Sequence, residues 1–172
     1  GAAHLSKIRG RPYKLGFVSV AGRSQKKEFD FKDTNELPTD IRLLVLCSFL
    51  PDKDAALKLT TLDVDVDSIR APLLNWTPLE WAARRGHLEI VRALVEEAGA
   101  SVAVGTPLMW ACVDDHVTVV EQLVAFGAEP GARDADGAVA IHYAADNGSI
   151  RCIKYLAMNF PGLLQIRDRE GR

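Results

Sequence analysis

Three seven-residue stretches of this chain are versions of one another. Thr77-Pro78-Leu79-Glu80-Trp81-Ala82-Ala83, Thr106-Pro107-Leu108-Met109-Trp110-Ala111-Cys112 and Val139-Ala140-Ile141-His142-Tyr143-Ala144-Ala145 begin 29 and then 33 positions apart. Self-similarity at such a period constrains the fold more than any local propensity does. Each unit is one supersecondary element that cannot bury its apolar face alone, and stacking its copies makes the core. A chain of this kind offers a scaffolded surface.

The chemistry within each unit fits a helix-turn-helix. Thr77 and Thr106 are N-caps, and the prolines after them occupy the first helical position, where a missing N–H costs nothing. Ala82-Ala83, Ala111-Cys112 and Ala144-Ala145 are small enough for neighbouring first helices to approach closely. Gly86 and Gly148 supply the left-handed residue that ends a first helix, and Asp115 takes that place at some cost in the middle unit. The second helices carry an apolar ridge read as Ile90, Val91 and Leu94, then Val119, Val120 and Leu123, then Ile150, Ile153 and Leu156.

These residues resemble the ankyrin repeat, whose pattern is a β-turn followed by Thr-Pro-Leu-His-x-Ala-Ala-x-x-Gly-His-x-x-Ile-Val-x-x-Leu-Leu-x-x-Gly-Ala. The matches include Gly86-His87, Ile90-Val91, Gly99-Ala100, Val119-Val120, Gly127-Ala128, Asp136-Gly137 and Gly148. The resemblance implies an all-α ankyrin-repeat solenoid with short β-turn fingers over residues 71–172, divided at about 71–101, 102–133 and 134–167. Residues 168–172 look like the turn of a further repeat, so the chain is expected to be a piece of a longer protein. Glu80 and Met109 stand where the family has His, and only His142 keeps it. Because that His ties neighbouring turns together, the first two junctions are expected to be the looser ones. The finger at Ser101 to Gly105 is short, and an insertion at Asn159-Phe160-Pro161-Gly162 predicts a bulge.

Upstream of the repeats, residues 37–70 read as a degenerate capping repeat. Thr39 caps a helix over Ile41 to Phe49, Pro51-Asp52 restarts one over Lys53 to Leu59, and Asp63 to Asp67 alternates as an extended, exposed segment. The three aspartates there lack the glycine and terminal Glu of a calcium loop. Residues 1–36 form a basic extension, with a β-hairpin predicted from Lys14 to Val20 and Lys27 to Phe31 around the turn residues Ala21 to Gln25. Lys7, Arg9, Arg11, Lys14, Arg23, Lys26 and Lys27 face no acid within residues 1–27, although the whole chain carries a formal charge of only -2. Two readings stand for this arm: contact with nucleic acid or anionic membrane, or else a solvated linker or a hairpin docked on the acidic repeat body.

Several function classes fall away on composition. No run approaches the roughly 18 consecutive apolar residues of a membrane-spanning helix, and no secretory signal is visible. Cys47, Cys112 and Cys152 are scattered, which speaks against a disulfide framework or zinc site and for a reducing, cytoplasmic setting. His87, His116 and His142 sit at structural positions of the repeat, Asp114-Asp115-His116 reads as repeat structure before it reads as a metal cluster, and no phosphate loop is present. The expectation is therefore a non-enzyme without cofactor, metal or small-molecule substrate.

In ankyrin arrays the fingers and the exposed side of the first helices form a concave binding face. Here the variable positions after the small pair are Arg84-Arg85, Val113-Asp114 and Asp146-Asn147, a run from basic to acidic. Trp81, Trp110 and Tyr143 share one slot in successive units, with Trp76 just before the first, so a stripe of rings is expected to anchor a protein or peptide partner or to fill space between units. Thr-Pro-Leu-x-Trp-Ala is also similar to repeats preceding the membrane domain of DHHC-type protein S-acyltransferases, which would make this a substrate-recruiting region of a larger enzyme.

Overall fold

The computed structural model of the chain describes residues 19–20, 23–24, 65–70, 75–104 and 106–171. Its helices come in pairs joined by tight turns: α1 (Pro78–Arg85) with α2 (Leu88–Glu96), α3 (Pro107–Val113) with α4 (Val117–Ala125), and α5 (Ala140–Asp146) with α6 (Ile150–Asn159). The first helices pack in one row, α1 on α3 on α5, and the second helices in another, α2 on α4 on α6. This is the all-α solenoid of helix-turn-helix units that the repeat predicts.

Each pair starts and turns where its residues dictate. The Thr77 hydroxyl accepts from the Glu80 N–H at 3.1 Å while the Glu80 carboxylate accepts from the Thr77 N–H at 2.8 Å. That reciprocal capping box uses two donors that the first helical turn would otherwise leave open. Thr106 makes no such cap with its side chain, contrary to expectation. Its N–H instead donates to the other oxygen of Glu80 at 2.9 Å. Glu80 thus ties the first unit to the second, and the expected looseness at that junction is absent because a carboxylate has an acceptor for each unit. At the third unit His142 Nδ1 accepts from the Val139 N–H at 3.0 Å.

Between helices, Gly86 and Gly148 lie at φ 72 and 68 and Asp115 at φ 56, the left-handed region that favours glycine. Asp115 offsets its strain with a contact glycine cannot make, its carboxylate accepting from the Cys152 N–H at 2.9 Å. The Ser149 hydroxyl likewise donates to the Val113 carbonyl at 3.1 Å, and Arg92 Nε to Gln122 at 2.9 Å. Successive units are therefore linked by polar contacts as well as packing.

The core lies between the two rows. Ile90, Val91 and Leu94 of α2 and Val119, Val120 and Leu123 of α4 are buried, but in α6 the buried pair is Cys152 and Leu156, while Ile150 is 60% exposed. Of the predicted ridge, Leu156 is buried and Ile153 packs half-buried on the core, but Ile150 was misplaced: the offset of 33 that relates the second and third motifs carries Val119 onto Cys152. Cys112 and Cys152 are free and buried. Their mutual hydrogen bond, then burial, push the Cys112 thiol well above its ordinary pKa, and both cysteines fill the core as small side chains. Ala82, Ala83, Ala111, Cys112 and Ala144 are buried, whereas Ala145 is exposed. Its equivalents Ala83 and Cys112 face a following unit.

Two connecting segments complete the described body. Val66 to Ser68 turn rather than extend, closed by a Ser68 N–H to Asp65 carbonyl bond at 3.1 Å, and Val66 and Ile69 enter the core. The alternation of Asp63 to Asp67 was a misleading signal, because Asp67 serves the packing of the array and accepts from the Ser101 N–H at 2.9 Å. After α6 the inserted residues form a short 3-10 helix, Pro161–Gln165, that buries Leu163. Downstream, Asp168 accepts from the Glu170 N–H at 2.9 Å and Arg167 donates to the Gly171 carbonyl at 3.0 Å. Those bonds copy the finger at Arg133 to Gly137, where Asp134 accepts from Asp136 N–H and Arg133 donates to the Gly137 carbonyl.

Of the basic extension, Ser19–Val20 pairs antiparallel with Arg23–Ser24. The first strand falls inside the predicted one, but the second falls in the stretch read as turn. The rest of residues 1–36, the predicted capping helices from Thr39 to Leu59, and Cys47 lie outside the described residues.

Candidate partner-binding face

Trp81, Trp110 and Tyr143 occupy one slot of α1, α3 and α5, where packing of α1 on α3 on α5 sets their rings side by side. Trp76 precedes the Thr77 cap and leans across the first two. Its ring centroid lies 4.7 Å from that of Trp81 and 4.2 Å from that of Trp110, and Trp110 lies 6.0 Å from Tyr143 in an edge-on arrangement. Ring pairs at such distances are stabilised beyond their buried area by about 0.5–1.5 kcal/mol each. All four aromatic residues are half-buried.

The polar atoms of this cluster are unevenly served. Arg84 sits with its guanidinium carbon 5.7 Å from the Trp76 centroid and 5.2 Å from the Trp110 centroid, and its Nε lies 3.2 Å from Asp114 Oδ2. The indole Nε1 atoms of Trp81 and Trp110 are buried and have no hydrogen-bond partner among the described residues. The N–H edges are therefore covered, and among the described residues they donate to nothing.

Tyr143 is better provided for. Its hydroxyl donates to Asp134 Oδ2 at 2.6 Å, and the other oxygen of Asp134 accepts from the N–H groups of Asp136 and Ala138, each at 2.9 Å. Burial, followed by the Asp134 contact, pushes the Tyr143 phenol up to about 12. For Asp134 burial acts upwards, but the bonds from Tyr143 and the finger N–H groups outweigh it and hold the carboxyl below its ordinary value. The pairing therefore contributes stability below the ordinary phenol pKa of about 10 that is lost as pH rises from there through the folded value. The aspartate contribution is present above pH about 4 and fades as pH falls below it. Denaturant midpoints followed from neutral to alkaline pH should fall more steeply for the native chain than for Tyr143→Phe. Equal slopes would show that the phenol titrates alike in both states.

The remaining predicted positions divide. Asp114, Arg85, Asp146 and Asn147 are exposed and Val113 is half-buried. Val113 contributes its carbonyl to the Ser149 hydroxyl, and Asn147 donates its amide to the Tyr143 carbonyl at 2.9 Å. Both thus serve the helix ends. The expected run from basic to acidic is cut short, since Arg84 and Asp114 neutralise one another across the first junction. Asp134 was missed, although an Asp two positions before the Asp136-Gly137 turn, nine before a tyrosine, is a readable sign of a finger anchored to its helix. Among the described residues no three His, Cys, Asp or Glu side chains gather as a metal set, and no helix is long and apolar enough to cross a membrane.

The family model for "Ankyrin repeats (3 copies)" matches residues 103–168, and that for a single "Ankyrin repeat" matches residues 74–104. Together they span more than half of the chain. It belongs to the ankyrin repeat family. No curated protein matches it. Ankyrin repeats are generally protein-interaction modules, and the ring cluster lies on the row of first helices.

Proposed function

We propose that this ankyrin array works by binding a protein or peptide partner on its concave face and fingers, and performs no chemistry of its own. The observation that carries the reading is the ring cluster Trp76, Trp81, Trp110 and Tyr143, with two covered indole N–H groups that lack acceptors among the described residues. A buried donor left unpaired costs about 1–3 kcal/mol. A partner that parts the rings would give these donors carbonyl acceptors. Rigid aromatic residues beside an arginine are also the side chains that dominate binding energy at interfaces.

The test is selection of a random linear peptide library on the purified chain, with enriched peptides then titrated by tryptophan fluorescence. Trp110→Ala should weaken their binding by about 1–2 kcal/mol while the helical circular dichroism and its thermal transition survive. A large fall in melting temperature with unchanged affinity would mean that the rings only fill space between units.

A further inference from the structure

We infer that the ring cluster takes a carboxylate of the partner, an acidic side chain or a chain terminus, and that Arg84 is the residue that reads it. The inference rests on the binding reading above and adds the chemistry of the ligand. Among the described residues, the unused hydrogen-bonding groups of the rings and of Arg84 are donors. Trp81 and Trp110 each hold a buried indole N–H without a partner among the described residues. Arg84 meets Asp114 through Nε at 3.2 Å and lies over the rings of Trp76 and Trp110. The ring contacts balance its charge but occupy none of its N–H groups, and among the described residues its terminal nitrogens donate to nothing. The Tyr143 hydroxyl, the other candidate donor, is already spent on Asp134 at 2.6 Å.

A guanidinium is a rigid fork of five donors matched to carboxylate geometry. Here its usual entropic cost of ordering is already met, because two rings and an aspartate fix its position. With a side-chain exposure of 31% the fork is still reachable. A partner carboxylate that takes the terminal nitrogens makes Arg84 a bridge between two acids, Asp114 on one edge and the ligand on the other. Asp114 has two effects: it orients Arg84, and it removes part of the charge the ligand would feel. That second effect sets the sign of the test. If the ligand is an anion, neutralising Asp114 strengthens binding. A ligand cation that displaces Arg84 from the rings and pairs with Asp114 predicts the reverse.

The experiment uses the whole chain and a random linear peptide library displayed on phage. Enriched sequences should carry Asp, Glu or a free C-terminus at one fixed position. Resynthesis of the best peptide with that acid replaced by its amide should cost about tenfold in affinity, the loss of one charge-assisted hydrogen bond. With Arg84→Gln the acid and amide peptides should bind alike, Arg84→Lys should restore part of the difference, and Asp114→Asn should tighten the acid peptide. Thermal melts of each variant report that the array is intact. Peptides that bind through Trp110 but prefer Lys or Arg, show no charge preference, or weaken with Asp114→Asn would overturn the carboxylate inference and leave the binding face standing. No enrichment of any sequence would overturn both.

Discussion

Gly86→Ala is expected to destabilise the array by about 3 kcal/mol, whereas Gly148→Ala, the same substitution at the same place in the third unit, should cost only about 1 kcal/mol. Both glycines have positive φ, 72 and 68, so alanine pays the left-handed strain at either. Their surroundings differ. A methyl on Gly86 would lie 2.5 Å from Nδ1, 2.6 Å from Cε1 and 2.8 Å from Cγ of His116, whereas one on Gly148 would meet nothing within 4 Å. Cγ is the first atom of the ring, so a tilt about χ2 cannot clear the clash, and His116 must change χ1 or the chain at the head of α4 must shift. Chemical denaturation of the two variants measures the difference directly. His116→Ala removes the ring, so in that background the Gly86 change should fall back to about 1 kcal/mol. Equal costs for the two glycines would mean that the His116 contact yields easily.

That contrast also marks how far the residues alone could take the fold. The period, the Thr-Pro starts, the small pairs and the glycine turns are local signals whose meaning does not depend on neighbours, and they gave the solenoid and its row of first helices. What depended on neighbours was lost. Ile150 looked like a ridge residue because it is large and apolar, yet it is mostly exposed, and the small Cys152 fills the core position that Val119 takes in the second unit. Asp115 looked like a tolerated strain, and its bond to the next unit became visible only when α6 was placed beside it. The candidate site divided along the same line. That three rings share a slot was readable from spacing. That Trp76 bridges two of them, that Arg84 lies over the rings and pairs with Asp114, and that the indole N–H groups have no acceptor among the described residues all depend on side-chain direction across a junction. Tyr143 seemed interchangeable with the two tryptophans until Asp134 took its hydroxyl.

Glu80→Ala is the second large effect, also about 3 kcal/mol, and it bears on what joins one unit to the next. Glu80 is 5% exposed, and its two oxygens take the Thr77 N–H at 2.8 Å and the Thr106 N–H at 2.9 Å. Alanine leaves both backbone donors without their acceptor at helix starts that are otherwise closed, each worth about 1–3 kcal/mol when water cannot replace it. Thr106 is half-buried, so water softens its share. Glu80→Gln should recover little, because an amide turns an N–H towards one of the two donors. Glu80→His, which installs the residue of the ankyrin pattern, should stand between alanine and the native chain. His142 already accepts from the Val139 N–H through Nδ1, so histidine can repeat that bond to Thr77 but must give up the carboxylate's reach to Thr106. The order of denaturation midpoints, native above His above Ala, checks the assignment. Amide exchange at Thr106 locates it, since protection there should fall in every variant that lacks the second oxygen. If Glu80→Ala unfolds at the native midpoint, the junction is held by packing of α1 on α3 and the carboxylate is incidental to it. If stability falls but Thr106 stays protected, Glu80 is only a helix cap, and the link between the first two units lies in Arg84 with Asp114.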